Sequence, residues 1–186
     1  MELIKIIFFA LGTFFGVENS RIISEKTHVK IDPEKHIITV THEHLFTMVQ
    51  KEEDSIRVAN ELYRIANPAA GDTRYDWREE LTTYETKTLV ISTSPEQKQL
   101  NASIKLKYNT KEQLKDFAIE YVTEENSYAL INIPEWNIET TTGVLKDNFW
   151  YFKDEISFSL SPAENMPDAY RKYQKGLYDY WEKVKP

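Results

Sequence analysis

Histidine and carboxylate side chains are the groups of this 186-residue chain that could hold a metal or move a proton, since the chain has no cysteine. All four histidines fall between residues 28 and 44. His42-Glu43 begins like the zinc motif HExxH, but Phe46 stands where that motif needs its second histidine. In a helix over residues 42–50, His42 and His44 would point in different directions. The sequence therefore predicts no metal site. If a strand instead continues through residue 44, a shared face would hold His36, His42 and His44.

Residues 134–155 mix aromatic rings with acids and amides, a composition typical of sugar-binding surfaces. A flat ring can cover the C–H face of a sugar, while carboxylates and amides bond its hydroxyls. The candidate ligand-binding residues are Glu135, Trp136, Asp147, Trp150 and Tyr151. The alternative is that the rings divide between the core and neighbouring strands and that the acids are solvated.

A hydrolase in the same region would need two carboxylates in one concave pocket, about 5–9 Å apart. The acids available for such a pair are Glu135, Glu139, Asp147 and Asp154. The chain has no GxSxG motif, and its five scattered glycines form no GxGxxG or P-loop. The sequence therefore predicts no catalytic residue and no cofactor, and the hydrolase remains an alternative.

The composition predicts one folded domain. Apolar residues make up 41% of the chain and charged residues 28%, which is ordinary for a globular protein. The formal net charge is −7, and no stripe of Lys and Arg offsets it. Such a surface repels phosphate backbones, so nucleic acid is not an expected partner.

The first twenty residues resemble an export signal. Lys5 precedes an apolar run, Ile6–Val17, that is too short to span a bilayer but suits the h-region of a signal peptide. This predicts a leader over residues 1–20, export to the periplasm or the secreted space, and no stable membrane span. Two alternatives remain: an uncleaved N-terminal anchor, or a segment buried inside the fold.

The remaining pattern predicts an α+β domain over residues 21–186, with a mostly antiparallel sheet, two or three packed helices and a C-terminal helix over about 167–184. Asp32-Pro33-Glu34-Lys35 predicts a hairpin turn in which Ile31 pairs with His36. Thr110 and Gln113 predict a capping box. Helices are expected over 42–50, from Asp54 or Ser55 to Asn67, and from Thr110 onward. A loop is expected over Ala69–Asp76. The expected strands cover 27–31, 36–40, 83–91, 99–108, 128–133, 136–140, 149–152 and 156–160.

The terminal helix should place its mainly aromatic stripe against the domain's own core; the stripe is Tyr170, Tyr173, Leu177, Tyr180, Trp181 and Val184. The function that these patterns favour is an exported, non-catalytic binding module for a glycan, peptide or protein. The alternatives are the carboxylate-dependent hydrolase and a structural subunit of an envelope assembly. The sequence does not determine the oligomeric state.

Overall fold

The fold is α+β, with two antiparallel sheets and flanking helices, in a computed structural model that describes residues 11–17, 19–67 and 77–186. The strands are β1 (Ile23–Asp32), β2 (Ile37–Met48), β3 (Thr86–Ser94), β4 (Gln99–Lys107), β5 (Ile119–Val122), β6 (Ser127–Ile131), β7 (Val144–Lys146), β8 (Phe149–Phe152), β9 (Ile156–Leu160) and β10 (Gln174–Gly176). The α-helices are α1 (Glu52–Ala66), α2 (Asp168–Arg171) and α3 (Tyr178–Val184). Short 3-10 helices cover Leu11–Phe15, Glu79–Thr83, Lys111–Phe117, Thr123–Glu125, Pro134–Trp136 and Pro162–Asn165.

The larger sheet has the order β3-β4-β2-β1-β9, with β10 added alongside β2. Its β1–β2 hairpin is confirmed, but Ile31 pairs with Ile38 and not with His36. The four-residue loop covers 33–36, where His36 adopts a left-handed conformation (φ 57°). Strand β1 therefore ends one residue later than predicted, and β2 begins one residue later. The shift in register is two residues, which keeps the same side chains on the core face.

The helix expected over residues 42–50 is wrong, because β2 continues to Met48. Ile23 and Ser24 of β1 pair with Phe46 and Leu45 on one side of this stretch, and β10 pairs with it on the other. Backbone bonding from both neighbours outweighs the weak local preference for a helix. His42 consequently sits on the core face of the sheet and is fully buried.

Helix α1 confirms the second predicted helix, although Ile56 and Tyr63, which the helical spacing of Ile56, Ala59, Leu62, Tyr63 and Ala66 predicts to be buried, lie outside its buried stripe. Asp54 lies in the first turn, where its carboxylate accepts the backbone N–H groups of Gln50 (3.0 Å) and Lys51 (3.1 Å). Ile56 and Tyr63 are exposed, while the core face is formed by Val58, Leu62 and Ile65. The loop predicted over Ala69–Asp76 lies outside the described residues.

The strictly alternating β4 is confirmed: its four apolar residues, Leu100, Ala102, Ile104 and Leu106, are buried, and so is Tyr108 directly after it. The preceding strand begins later than expected, since residues 79–83 form a 3-10 helix. The capping box is confirmed: Gln113 Oε1 accepts the N–H groups of Asn109 (2.6 Å) and Thr110 (3.1 Å). The helix it begins is a short 3-10 helix that ends before the left-handed Ala118.

The smaller sheet has the order β5-β6-β8-β7. Strands β8 and β9 match the predicted segments residue for residue, and β6 covers most of the strand predicted over 128–133. Residues 136–140 do not form a strand, since only Glu139 makes an isolated bridge, to Ser159 of β9.

The helix expected over about 167–184 is interrupted by β10, so only its last part, α3, is the C-terminal helix. Leu177, between β10 and α3, is fully buried. The Tyr180 hydroxyl lies 2.6 Å from Ser55 Oγ of α1. The end of the chain therefore packs on its own domain, but Tyr170 is half exposed and outside that contact.

The segment Leu11–Phe15 lies in the core. Leu11 and Phe14 are fully buried, and the Phe14 carbonyl accepts the N–H of Arg78 at 2.8 Å. The Phe14 ring meets His42 edge-on, with ring centroids 5.9 Å apart. Residues 1–10 of the predicted leader lie outside the described residues. A cleavage between Gly16 and Ser20 would remove two core side chains.

Candidate functional site: a hydroxyl-lined groove

A groove of about 760 Å³ lies on the outer face of the larger sheet. We call it the hydroxyl groove; its lining is His28, Val29, Lys30, Thr39, Thr41, Ile138, Glu139, Thr140, Thr141, Trp150, Ser157, Phe158 and Ser159. Strand alternation explains its polarity, since Val29 and Val40 point into the core while their neighbours His28 and Thr41 point outward.

The strand register brings polar side chains into rows that cross the strands. His28 pairs with Thr41 of β2 and with Ser159 of β9, while Lys30 lies between Thr39 and Ser157 in the next row. These neighbours point to the same face, because directly opposed residues of an antiparallel pair share a side. The floor of the groove is therefore built mainly from hydroxyl groups.

Residues 138–142 form one wall, which is fastened to β9. Glu139 and Ser159 exchange two backbone hydrogen bonds, at 2.8 and 3.0 Å. The Thr140 hydroxyl donates to the carbonyl of Ser157 at 2.6 Å. These contacts also occupy the outer edge of β9. The wall is consequently a fixed part of the groove.

Several hydroxyls in the groove are available to a ligand. Within the described part of the chain, the hydroxyls of Thr39, Thr41, Thr141 and Ser157 make no hydrogen bond. Each such group can donate one hydrogen bond and accept others. The groove can therefore bond a polar ligand without first breaking protein contacts at these positions.

The charges at the groove are paired. Lys26 Nζ lies 2.7 Å from Glu139 Oε2, and Lys30 Nζ lies 2.9 Å from Glu155 Oε2. The hydrogen bond between Lys26 and Glu139 raises the pKa of the lysine and lowers the pKa of the carboxyl. Because positive and negative groups offset one another, the groove favours a polar ligand without a strong net charge.

Trp150 is the candidate residue that lines the hydroxyl groove. It is half-buried, and its Nε1 donates to Asn132 Oδ1 at 3.0 Å, which fixes the plane of the indole. Tyr151 points to the opposite face of β8 and lines a second groove of about 720 Å³, the hairpin groove, beside the exposed Val144.

The other three candidates lie apart from both grooves. Trp136 is only 7% exposed and packs in the core. Glu135 is exposed on the same 3-10 helix, and Asp147 lies in the β7–β8 turn, where its φ is 49°. The structure therefore separates the five residues.

The carboxylates that a hydrolase would need are also separated. Glu139 lines the hydroxyl groove, whereas Asp154 lines the hairpin groove and a third groove of about 390 Å³. Glu135 and Asp147 line none of these three. No pair among the four shares one of these grooves, so no observation here favours the hydrolase.

The histidines do not gather into a ligand set. His42 lies on the core side, with Nδ1 3.2 Å from both Ser24 Oγ and Thr27 Oγ1, and burial lowers its pKa to about 4. His36 stacks on Tyr108 in the hairpin turn. His44 has a left-handed φ of 52° and bonds Glu25. The described residues contain no group of three or more His, Asp or Glu side chains suited to a metal.

Comparison of the chain with protein-family models, curated proteins and solved structures finds no significant match. None of the helices among the described residues has the length and apolar character that a membrane crossing needs.

The threonines and serines of the groove were missed at the sequence level. A signal for them exists: Thr39 and Thr41 alternate with Ile38 and Val40, so a strand in this stretch must present hydroxyls on its outer face.

Proposed function

We propose that this protein is an exported, non-catalytic binding module that holds a neutral glycan in the hydroxyl groove. The observation that carries the proposal is the lining of this groove, in which six Ser and Thr side chains and the side chain of Trp150 border one space. A glycan is the polar ligand class whose many hydroxyls match such a lining, because each group on either side both donates and accepts.

Trp150 supports the same ligand class. Its indole is held by Asn132 and only half-buried, so part of the ring remains open to the groove. A fixed aromatic surface costs little conformational entropy on binding and covers the apolar C–H face of a sugar ring. The paired charges around it disfavour ligands that carry several phosphates or carboxylates.

The test is calorimetric titration of the protein with a panel of neutral oligosaccharides, such as cello-, chito-, xylo- and malto-oligomers. We expect Trp150→Ala to weaken binding at least tenfold, about 1.4 kcal/mol. Thr41→Val removes one hydroxyl at constant shape and should weaken binding roughly threefold to tenfold.

Tyr151→Ala is the matched control, because this ring is the sequence neighbour of Trp150 but lines the hairpin groove. It should leave the affinity within about twofold. Absence of binding across the panel at millimolar sugar contradicts the proposal, and so does a loss of binding in Tyr151→Ala that exceeds the loss in Trp150→Ala.

The proposed compartment depends on the apolar start of the chain. Because Leu11 and Phe14 occupy core positions, the proposed exported form is one that keeps these residues. N-terminal sequencing of protein recovered from the envelope and medium of the native host tests this. We expect an exported chain that begins before Leu11; protein found only inside the cell contradicts the proposal.

A further inference from the structure

Among the described residues, strand β3 forms a long edge of the larger sheet. It contains nine residues, Thr86–Ser94, and pairs with β4 on one side. Within residues 11–17, 19–67 and 77–186, no strand pairs with it on the other side. The opposite edge of the sheet, β9, is covered by Glu139 and Thr140, and the edge strand β7 of the smaller sheet has only three residues.

This edge lacks the features that usually block strand pairing. Proteins protect open edges with short strands, prolines, bulges or central charges. The middle of β3, Thr88-Leu89-Val90-Ile91-Ser92, has no charge and no proline. Val90 is 60% exposed, and Leu89 and Ile91 are only partly buried although they lie on the core face. An added strand would cover all three.

We propose that a second copy of this chain pairs with this edge, β3 against β3 in antiparallel orientation, around a two-fold axis at Val90. The argument is the symmetry of the sequence TKTLVISTS about its central residue. With the axis at Val90, Leu89 of each copy faces Ile91 of the other on the core side. Thr88 faces Ser92, and the two valines face each other on the outer side.

The register at Val90 is the one that pairs like with like. Apolar and β-branched residues opposite one another stabilise an antiparallel pair, whereas mismatched or like-charged neighbours do not. Moving the axis to Leu89 would place Lys87 opposite Ile91. Moving it to Ile91 would place Leu89 opposite Thr93. With the axis at Val90, the charge of Lys87 faces the hydroxyl of Thr93, and all nine residues have a partner.

The proposed dimer is separate from the glycan proposal, because it uses the sheet edge and not the groove lining. The test is sedimentation equilibrium of the full chain from 1 µM to 1 mM. We expect a concentration-dependent rise to twice the chain mass. Val90→Asp places two like charges at the axis, which should raise the dimer dissociation constant at least tenfold.

A charge-reversal pair makes the test specific to the axis. Val90→Lys alone should also be monomeric, but an equimolar mixture of Val90→Asp and Val90→Lys should recover the dimer mass, since opposite charges then meet. Val144→Asp is the matched control: this valine is 69% exposed on β7, so its replacement should leave the mass unchanged. Circular dichroism confirms that each variant is folded.

Wild-type protein that stays monomeric to 1 mM overturns the proposal. So does a Val90→Asp variant that dimerises as the wild type does, or a mixture of the two charged variants that stays monomeric. Loss of the dimer in Val144→Asp would place the contact at the other sheet and overturn it as well.

Discussion

Phe14→Ala should destabilise the folded protein strongly. The Phe14 ring is fully buried, contacts the ring of His42 at 5.9 Å between centroids, and lies 6.4 Å from the ring of Phe117. Truncating a buried Phe to Ala costs about 3–5 kcal/mol, because transfer free energy is lost and a cavity remains. In a domain of this size, about 1 kcal/mol shifts the melting temperature by roughly 2–4 °C. The expected decrease is therefore on the order of 10 °C.

The assay is thermal and urea denaturation of the full chain followed by circular dichroism. Phe149→Ala is the matched control, since that ring is 38% exposed at the first residue of β8 and its loss should cost about 1 kcal/mol or less. A Phe14→Ala protein that melts within 2 °C of the wild type, in a preparation shown by mass spectrometry to retain the residue, would refute the placement of Leu11–Phe15 in the core.

The structure predicts the outcomes of three further perturbations. Leu177→Ala should cost about 2–5 kcal/mol in chemical denaturation, because this side chain is fully buried between β10 and α3; an unchanged midpoint would refute the packing of the chain's end. Gly143→Ala should cost about 1–3 kcal/mol, since an added Cβ would meet the Phe152 ring at 2.7 Å; a neutral result would contradict that close approach. His42 should make the protein acid-sensitive, because burial lowers its pKa in the folded state to about 4 from the ordinary 6.5. The contribution of the neutral ring to the free energy of unfolding is therefore complete above pH 6.5. As the pH falls toward 4, up to about 3 kcal/mol of this free energy is lost. His42→Gln should flatten the stability profile between pH 6.5 and 5, and an identical slope in wild type and variant would remove His42 as the cause.

The strands with one buried face could be predicted closely from the sequence. In β4 the apolar side chains alternate without exception, and a period of two leaves only one way to bury them. The bounds of β8 and β9 also match the prediction, although the four residues of β8 are all aromatic and do not alternate with polar ones. Local patterns are sufficient where a single face decides burial.

The sequence was misleading where distant strands decide the structure. Residues 42–48 have apolar positions that suit a helix, but β1 and β10 pair with this stretch from both sides. Residues 174–176 leave the predicted terminal helix for the same reason, because they complete the pair with β2. The pairing residues of β1 lie about twenty positions away along the hairpin and those of β10 more than a hundred, so periodicity within a short window cannot detect the pairing.

The candidate site was only partly predictable, because aromatic and acidic residues draw attention while hydroxyls do not. Trp150 was found, but the groove around it is built by the register of β1, β2 and β9, which brings together residues more than a hundred positions apart. The alternation of Thr39 and Thr41 with core residues was visible, but not the neighbours that make them a surface. Side-chain type identifies candidates, and strand pairing decides which of them meet.

The groove and the buried N-terminal segment are opposite sides of one sheet, and β2 connects them. Thr41 faces the groove, while the next residue, His42, faces the Phe14 ring across the core. Loss of Phe14 therefore acts on the groove only through the backbone of β2, whereas loss of Trp150 acts on it directly. Below the melting temperature of both variants, Phe14→Ala should lower stability with little change in glycan affinity, and Trp150→Ala should mainly lower affinity. Since stability and binding respond to different residues, the core position of Phe14 and the identity of the ligand can be tested independently.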